Sequence, residues 1–106
     1  MALTIRGVDG SLVAGLTGEI FWNAMYVHRL WVSDAHRRRG YGTALLQECE
    51  GIARSRSCDI SYLSTFSFQA PRFYEARGYV AFGELDNVPP GSKRLWFRKD
   101  LRVTAS

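Results

Sequence analysis

The strongest constraint on how this chain can fold is a junction near its middle. A β-prone run, Met25 to Val32 (MYVHRLWV), ends in Leu30-Trp31-Val32, and a short polar segment follows it. Arg37-Arg38-Arg39-Gly40-Tyr41-Gly42-Thr43 then leads into a helical pattern. In that pattern Tyr41, Leu45, Cys49 and Ile52 recur at steps of three or four, which buries one face of a helix from about Gly40 to Arg56. A strand that feeds a helix and then a further strand makes a crossover, so the next strand lies parallel to the first. Ile60 to Phe66 (ISYLSTF) alternates apolar with small polar residues and fits that role.

The flanks complete the pattern. Leu3 to Val8 and Leu12 to Phe21 are β-rich and separated by Asp9-Gly10, a turn dipeptide whose residues tolerate positive φ. Trp22-Asn23-Ala24 makes a second turn into MYVHRLWV. A short helix from about Ala70 to Arg77 has Pro71 in its first turn and Gly78 beyond its end. Tyr79 to Leu85 and Leu95 to Leu101 read as two more strands, bent back at Pro89-Pro90-Gly91. The predicted order is βββ-α-β-α-ββ, an α+β fold built on one mixed α/β sheet, with residues 1–106 forming one domain.

Composition removes whole classes of function. Hydrophobic residues are 46% of the chain and charged residues 23%, which suits a packed globular domain and excludes disorder and collagen-like repeats. No apolar run approaches the roughly 20 residues of a membrane span, and the N-terminus has no basic stretch followed by an apolar one, so a cytoplasmic protein without a membrane partner is expected. Cys49 and Cys58 lack zinc-like spacing and neighbouring histidines; they are expected to be buried, reduced thiols, with no metal site.

The net charge of +4 is unevenly placed, and Arg37-Arg38-Arg39 is its one consecutive run. A helix N-terminus presents unpaired N–H groups and a partial positive charge, so it attracts a pyrophosphate. Glycines at 40 and 42 keep Cβ atoms away from such a group, three arginines add attraction and bidentate bonds, and Thr43 offers a hydroxyl. The segment is neither a P-loop, lacking Gly-Lys-Ser/Thr, nor a dinucleotide fingerprint, lacking the third glycine. Nucleic-acid binding through the arginines lacks any recognised motif and is not expected.

RRRGYG at 37–42 resembles the R/Q-x-x-G-x-G/A pyrophosphate loop of the GNAT-type N-acetyltransferases. The likeness covers nearly the whole chain: the LWV strand end, the helix, YLSTF, the segment FQAPRFYEARGYVAFGEL and the closing PPGSKRLWFRKDL. It implies a sheet with two splayed strands, here Met25 to Val32 and Ile60 to Phe66, with pantetheine between them. It also implies that acetyl-CoA pairs with the backbone of Leu30, Trp31 and Val32 as an added strand, and that N–H groups near Leu30 stabilise an oxyanion. Arg37, Arg38, Arg39, Gly40, Tyr41, Gly42 and Thr43 would hold its diphosphate. Family members usually begin with a strand and two helices that this chain lacks, so it reads as N-terminally truncated. That gap bears on acceptor binding, leaves Leu3 to Val8 as an edge strand and an apolar sheet face uncovered, and leads to the expectation of a homodimer.

The resemblance implies transfer of acetyl to a primary amine of a small molecule or protein. Tyr74 lies where the family often has a general acid, and a phenol's ordinary pKa of about 10 is near that of a thiol. His28, on the strand leading to Leu30, is a candidate base; an ordered water is the other. His36, Glu19, Asp34 and Glu75 read as solvated or structural. Trp22, Trp31, Trp96, Phe66, Phe68 and Phe73 are either pocket or core. A CoA-binding module without turnover is the alternative function.

Overall fold

The computed structural model describes residues 1–102. Asp9-Gly10 makes the first turn: Gly10 adopts φ 85°, and the Asp9 carboxylate accepts hydrogen bonds from the Ser11 N–H (3.0 Å) and hydroxyl (2.7 Å). The turn draws in Gly7, whose N–H donates to the Ser11 carbonyl, so strand β1 (Ala2–Arg6) ends two residues before the expected Val8. Strand β2 (Leu12–Phe21) and β3 (Ala24–Val32) follow, joined by a tight turn in which Trp22 has φ 49°. Helix α1 (Tyr41–Ser55) and β4 (Ile60–Phe66) form the crossover, and α2 (Pro71–Glu75), β5 (Val80–Asp86) and β6 (Lys93–Asp100) complete the chain.

The six strands form one mixed sheet in the order β1-β2-β3-β4-β6-β5. β6 inserts between β4 and β5, so β5 becomes an edge and is exposed along its whole length, while β1 is the other edge. Helix α1 packs on one face across β1, β2 and β3. Beneath it lies the core, in which Leu16, Met25, Leu46, Leu63, Phe97 and Cys49 are fully buried. Among the described residues no helix covers the opposite face, and none is long and apolar enough to cross a membrane.

Two irregularities shape the middle of the sheet. The β2–β3 register passes from Thr17 opposite Arg29 to Gly18 opposite Val27, which leaves His28 as an extra residue and makes a bulge in β3. β3 and β4 then run parallel for only three pairs, Ala24 with Ile60, Met25 with Ser61 and Tyr26 with Tyr62. Beyond Tyr26 the two strands separate and the sheet has an open seam. At the closed end of the seam sits a buried polar cluster. Ser61 Oγ and Tyr79 Oη are 2.8 Å apart, the Tyr79 hydroxyl donates to Glu50 (2.9 Å), and the Lys99 ammonium pairs with the other Glu50 oxygen (2.9 Å). Glu50 thus occupies the apolar stripe of α1 with both oxygens satisfied.

Candidate active-site cleft

The seam opens into a cleft of about 690 Å³. One wall is the end of β3, with Leu30, Trp31 and Val32. The Ser33 N–H donates to the Val13 carbonyl (2.8 Å), so by strand alternation Trp31 also turns its peptide groups toward β2. Leu30 and Val32 therefore direct theirs into the seam, where no strand meets them. The Trp31 indole covers Gly15, where a Cβ would come within 2.7 Å of its nitrogen.

The far end of the cleft is the start of α1. The first helical bond is donated by Ala44 to the Gly40 carbonyl (3.0 Å), so the N–H groups of Tyr41, Gly42 and Thr43 precede it, and no side chain caps them. Each of the two glycines also meets a separate demand of the fold itself. Gly40 is needed for its left-handed φ of 79°, with open space where its Cβ would be. Gly42 is needed for packing, since a Cβ there would stand 3.3 Å from Phe73 Cζ and 3.7 Å from Val32.

Of the three arginines, Arg37 and Arg38 line the cleft, and Arg39 is exposed outside its lining. Arg37 is paired with Asp34 (2.9 Å) across a single 3-10 turn at Asp34–His36, within the short polar segment that follows β3. His36, expected to be solvated, also lines the cleft, with Nδ1 2.7 Å from the Ser33 hydroxyl.

The opposite wall comes from the β4–α2 loop, α2 and the turn that follows it: Phe68, Gln69, Ala70, Phe73, Tyr74 and Arg77. Arg77 was not foreseen as a site residue. Its Nε donates to Thr43 Oγ1 (2.8 Å), its Nη1 to the Phe73 carbonyl (2.8 Å), and its guanidinium stacks 3.8 Å from the Phe73 ring centre. It ties α2 to the first turn of α1 while carrying positive charge to the cleft; a basic residue in the motif was visible, its reach of 34 positions back to Thr43 was not.

A second lobe of about 180 Å³ adjoins the first and shares Leu30, Gln69, Ala70 and Tyr74 with it. Tyr74 thus stands at the junction, its ring packed against Phe73, Tyr79 and Phe97. Burial raises its phenol above the ordinary value. His28 and Arg29 from the bulge enter this second lobe with Ser64 and Thr65 of β4. His28 Nε2 meets the Glu19 carboxylate across the β2–β3 ladder, and its ring stands edge-on to Tyr26 (4.6 Å). Glu19 is thereby part of the site's surroundings through His28.

Trp22 is almost wholly exposed at the β2–β3 turn, away from the cleft, while Phe66 and Trp96 lie on the bare sheet face. Cys49 and Cys58 are buried free thiols, with Cys49 pushed up to about 11 by burial. Among the described residues no three His, Cys, Asp or Glu side chains converge on a point that would hold a metal.

A parallel strand pair that opens onto a helix N-terminus is the arrangement the family resemblance implied, and comparison with known proteins agrees. Residues 2–79 match the Acetyltransferase (GNAT) family model. The chain is 37% identical over 96 residues to a blasticidin-S acetyltransferase of Streptomyces morookaense, covering 90% of this chain and 71% of that protein. It is 35% identical over 97 residues to an acetyltransferase of Agrobacterium fabrum, covering 92% and 71%. The crystal structure of an acetyltransferase from Bacillus cereus superposes with a TM-score of 0.91 at 36% identity, over 94% of this chain and 71% of that one. With fold, seam and sequence in agreement, this chain belongs to the GNAT acetyltransferase family and is an acyl-transferring enzyme.

Proposed function

We propose that the enzyme takes acetyl from acetyl-CoA and passes it directly to a primary amine. The observation that supports this is the continuity of the cleft. A linear donor can rest its diphosphate on the uncapped start of α1, lay its amide-bearing arm along the free peptide groups of Leu30 and Val32, and present its thioester at Tyr74, where the second lobe begins. Arg37, Arg38 and Arg77 supply positive charge at the diphosphate end, and the Thr43 hydroxyl, which accepts from Arg77, retains its own proton to donate.

The chemistry needs an oxyanion site, a base and an acid. The amine nitrogen attacks the thioester carbonyl carbon, forming the C–N bond while charge moves to oxygen, and an N–H of β3 near Leu30 is placed to receive that charge. Collapse breaks the C–S bond, and the sulfur takes the proton of the Tyr74 hydroxyl. Burial raises that phenol above its ordinary value, which keeps its proton in place until the thiolate departs. The amine proton leaves to His28, oriented by Glu19, or to a water held in that lobe. His28→Ala with an unaltered pH–rate profile would assign the step to water.

The test is thiol release from acetyl-CoA across a panel of primary amines. Amine-dependent release is expected, slowed strongly by Tyr74→Phe. Tight binding of acetyl-CoA with no release on any amine would overturn the proposal in favour of a CoA-binding module. We further propose that residues 1–106 act as one cytoplasmic catalytic domain, and that a second copy covers the bare face and edge of the sheet as a homodimer. Light scattering that gives a monomer at micromolar concentration would refute the dimer.

A further inference from the structure

We propose that the amine acceptor carries an anionic group, a carboxylate or a phosphate, and that Arg94 receives it. This deepens the transferase reading and rests on it. Leu63 and Thr65 of β4 are buried under the helices, so Tyr62, Ser64 and Phe66 project from the bare face. Their partners on β6 are Arg98, Trp96 and Arg94, which therefore share that face. Ser64 is also a wall of the acceptor lobe. Its hydroxyl accepts from both Nε (3.0 Å) and Nη2 (2.8 Å) of Arg94, and the guanidinium lies 4.5 Å from the centre of the Trp96 ring.

Arg94 is thus held in one orientation by a neutral hydroxyl and an aromatic face, half-buried, with its charge uncompensated. Two of its five N–H donors are spent on Ser64, which leaves three. Arg29 lines the lobe itself, and Arg94 stands directly behind its Ser64 wall; among the described residues no ion pair involves either arginine, and the nearby Glu19 carboxylate is engaged by His28. A fixed, planar and unpaired guanidinium suits a planar or tetrahedral oxyanion. An acceptor that brings the missing negative charge removes the cost of holding that cation half out of water.

The test compares two amines that differ only in charge, 4-(aminomethyl)benzoate and 4-methylbenzylamine, with phosphoethanolamine against ethylamine as the phosphate pair. In the wild type the anionic member of at least one pair should have a kcat/KM about tenfold higher at low salt, the scale of one charge-assisted contact. Arg94→Gln should bring that ratio close to one, and Arg94→Lys should restore part of it, as retained charge without the planar fork would. Equal kcat/KM within both pairs, or a preference that survives Arg94→Gln, overturns the inference while leaving amine acetylation intact. Failure of every amine to release thiol would overturn the parent reading instead. Should Arg94→Gln melt early, the wild-type ratios and Arg94→Lys decide the matter.

Discussion

Replacing Gly40 by alanine should destabilise the protein by about 1 kcal/mol without removing any contact. Gly40 sits at φ 79°, ψ 8°, and no atom lies within 4 Å of the position a Cβ would take, so there is no clash to count. What remains is the left-handed backbone penalty of about 1–2 kcal/mol for an L-residue, reduced by about 0.4–1 kcal/mol because alanine also restricts the unfolded chain. For a domain of this size that net loss lowers Tm by about 4–8 °C. Asparagine tolerates the left-handed region, so Gly40→Asn should recover part of the loss. Gly42→Ala should behave differently. Its helix propensity gain of up to about 1 kcal/mol is set against displacement of the Phe73 ring from 3.3 Å, so Tm changes little while KM for acetyl-CoA rises. Thermal melts followed by circular dichroism, with and without CoA, read both effects. If Gly40→Ala melts with the wild type, or if asparagine is as harmful as alanine there, the assignment of backbone strain to Gly40 is wrong.

Three further outcomes are expected. Tyr74→Phe should lower kcat by about 10²–10⁴-fold with little change in KM for acetyl-CoA, as loss of a general acid does; steady-state kinetics would expose an unchanged kcat and refute the role. Burial lifts the Cys49 thiol from 9.0 to about 11, so the folded state keeps a proton that the unfolded chain loses. Stability from this group is complete below about pH 9 and declines toward pH 11, with Tyr79 adding to the same trend from about pH 10 upward. Cys49→Ala should flatten the fall of Tm over that window, and parallel curves would count against the claim. Lys99→Met leaves the buried Glu50 carboxylate without its cation and should cost about 1–3 kcal/mol, below the usual figure for a buried pair because Lys99 is partly exposed. Adding Glu50→Gln to Lys99→Met should recover part of that loss in denaturant melts.

Local signals carried most of the fold. β2 and β4 have the boundaries that alternation and turn residues indicate, Leu12–Phe21 and Ile60–Phe66, and α1 falls within one residue of the expected ends. These elements are bounded by turn-forming or capping residues next to the change of pattern. The insertion of β6 between β4 and β5 was not legible, because both orders satisfy the same alternation and only long-range pairing distinguishes them. At the site, the placing of Leu30, Trp31, Val32, Gly40, Tyr41, Gly42, Thr43 and Tyr74 around one cleft follows from the strand–loop–helix junction and the family motif. The bulge at His28, the return of Arg77 to Thr43 and the fixing of Arg94 by Ser64 depend on register across strands or helices, for which no single stretch of residues carries a mark. Glu50 was hidden for a related reason: a carboxylate within an apolar stripe declares itself only when Tyr79 and Lys99 are seen to converge on it.

The position of that carboxylate has a mechanical consequence. Ser61 belongs both to the polar cluster and to the middle of the three rungs that still join β3 to β4. The vertex of the V formed by the diverging strands is therefore pinned through Tyr79 and Glu50 to the long helix and through Lys99 to β6. A wedge anchored at its apex can widen only by flexing its free arms, so tolerance for a bulkier acyl chain is governed by the stiffness of those arms and leaves the pivot undisturbed.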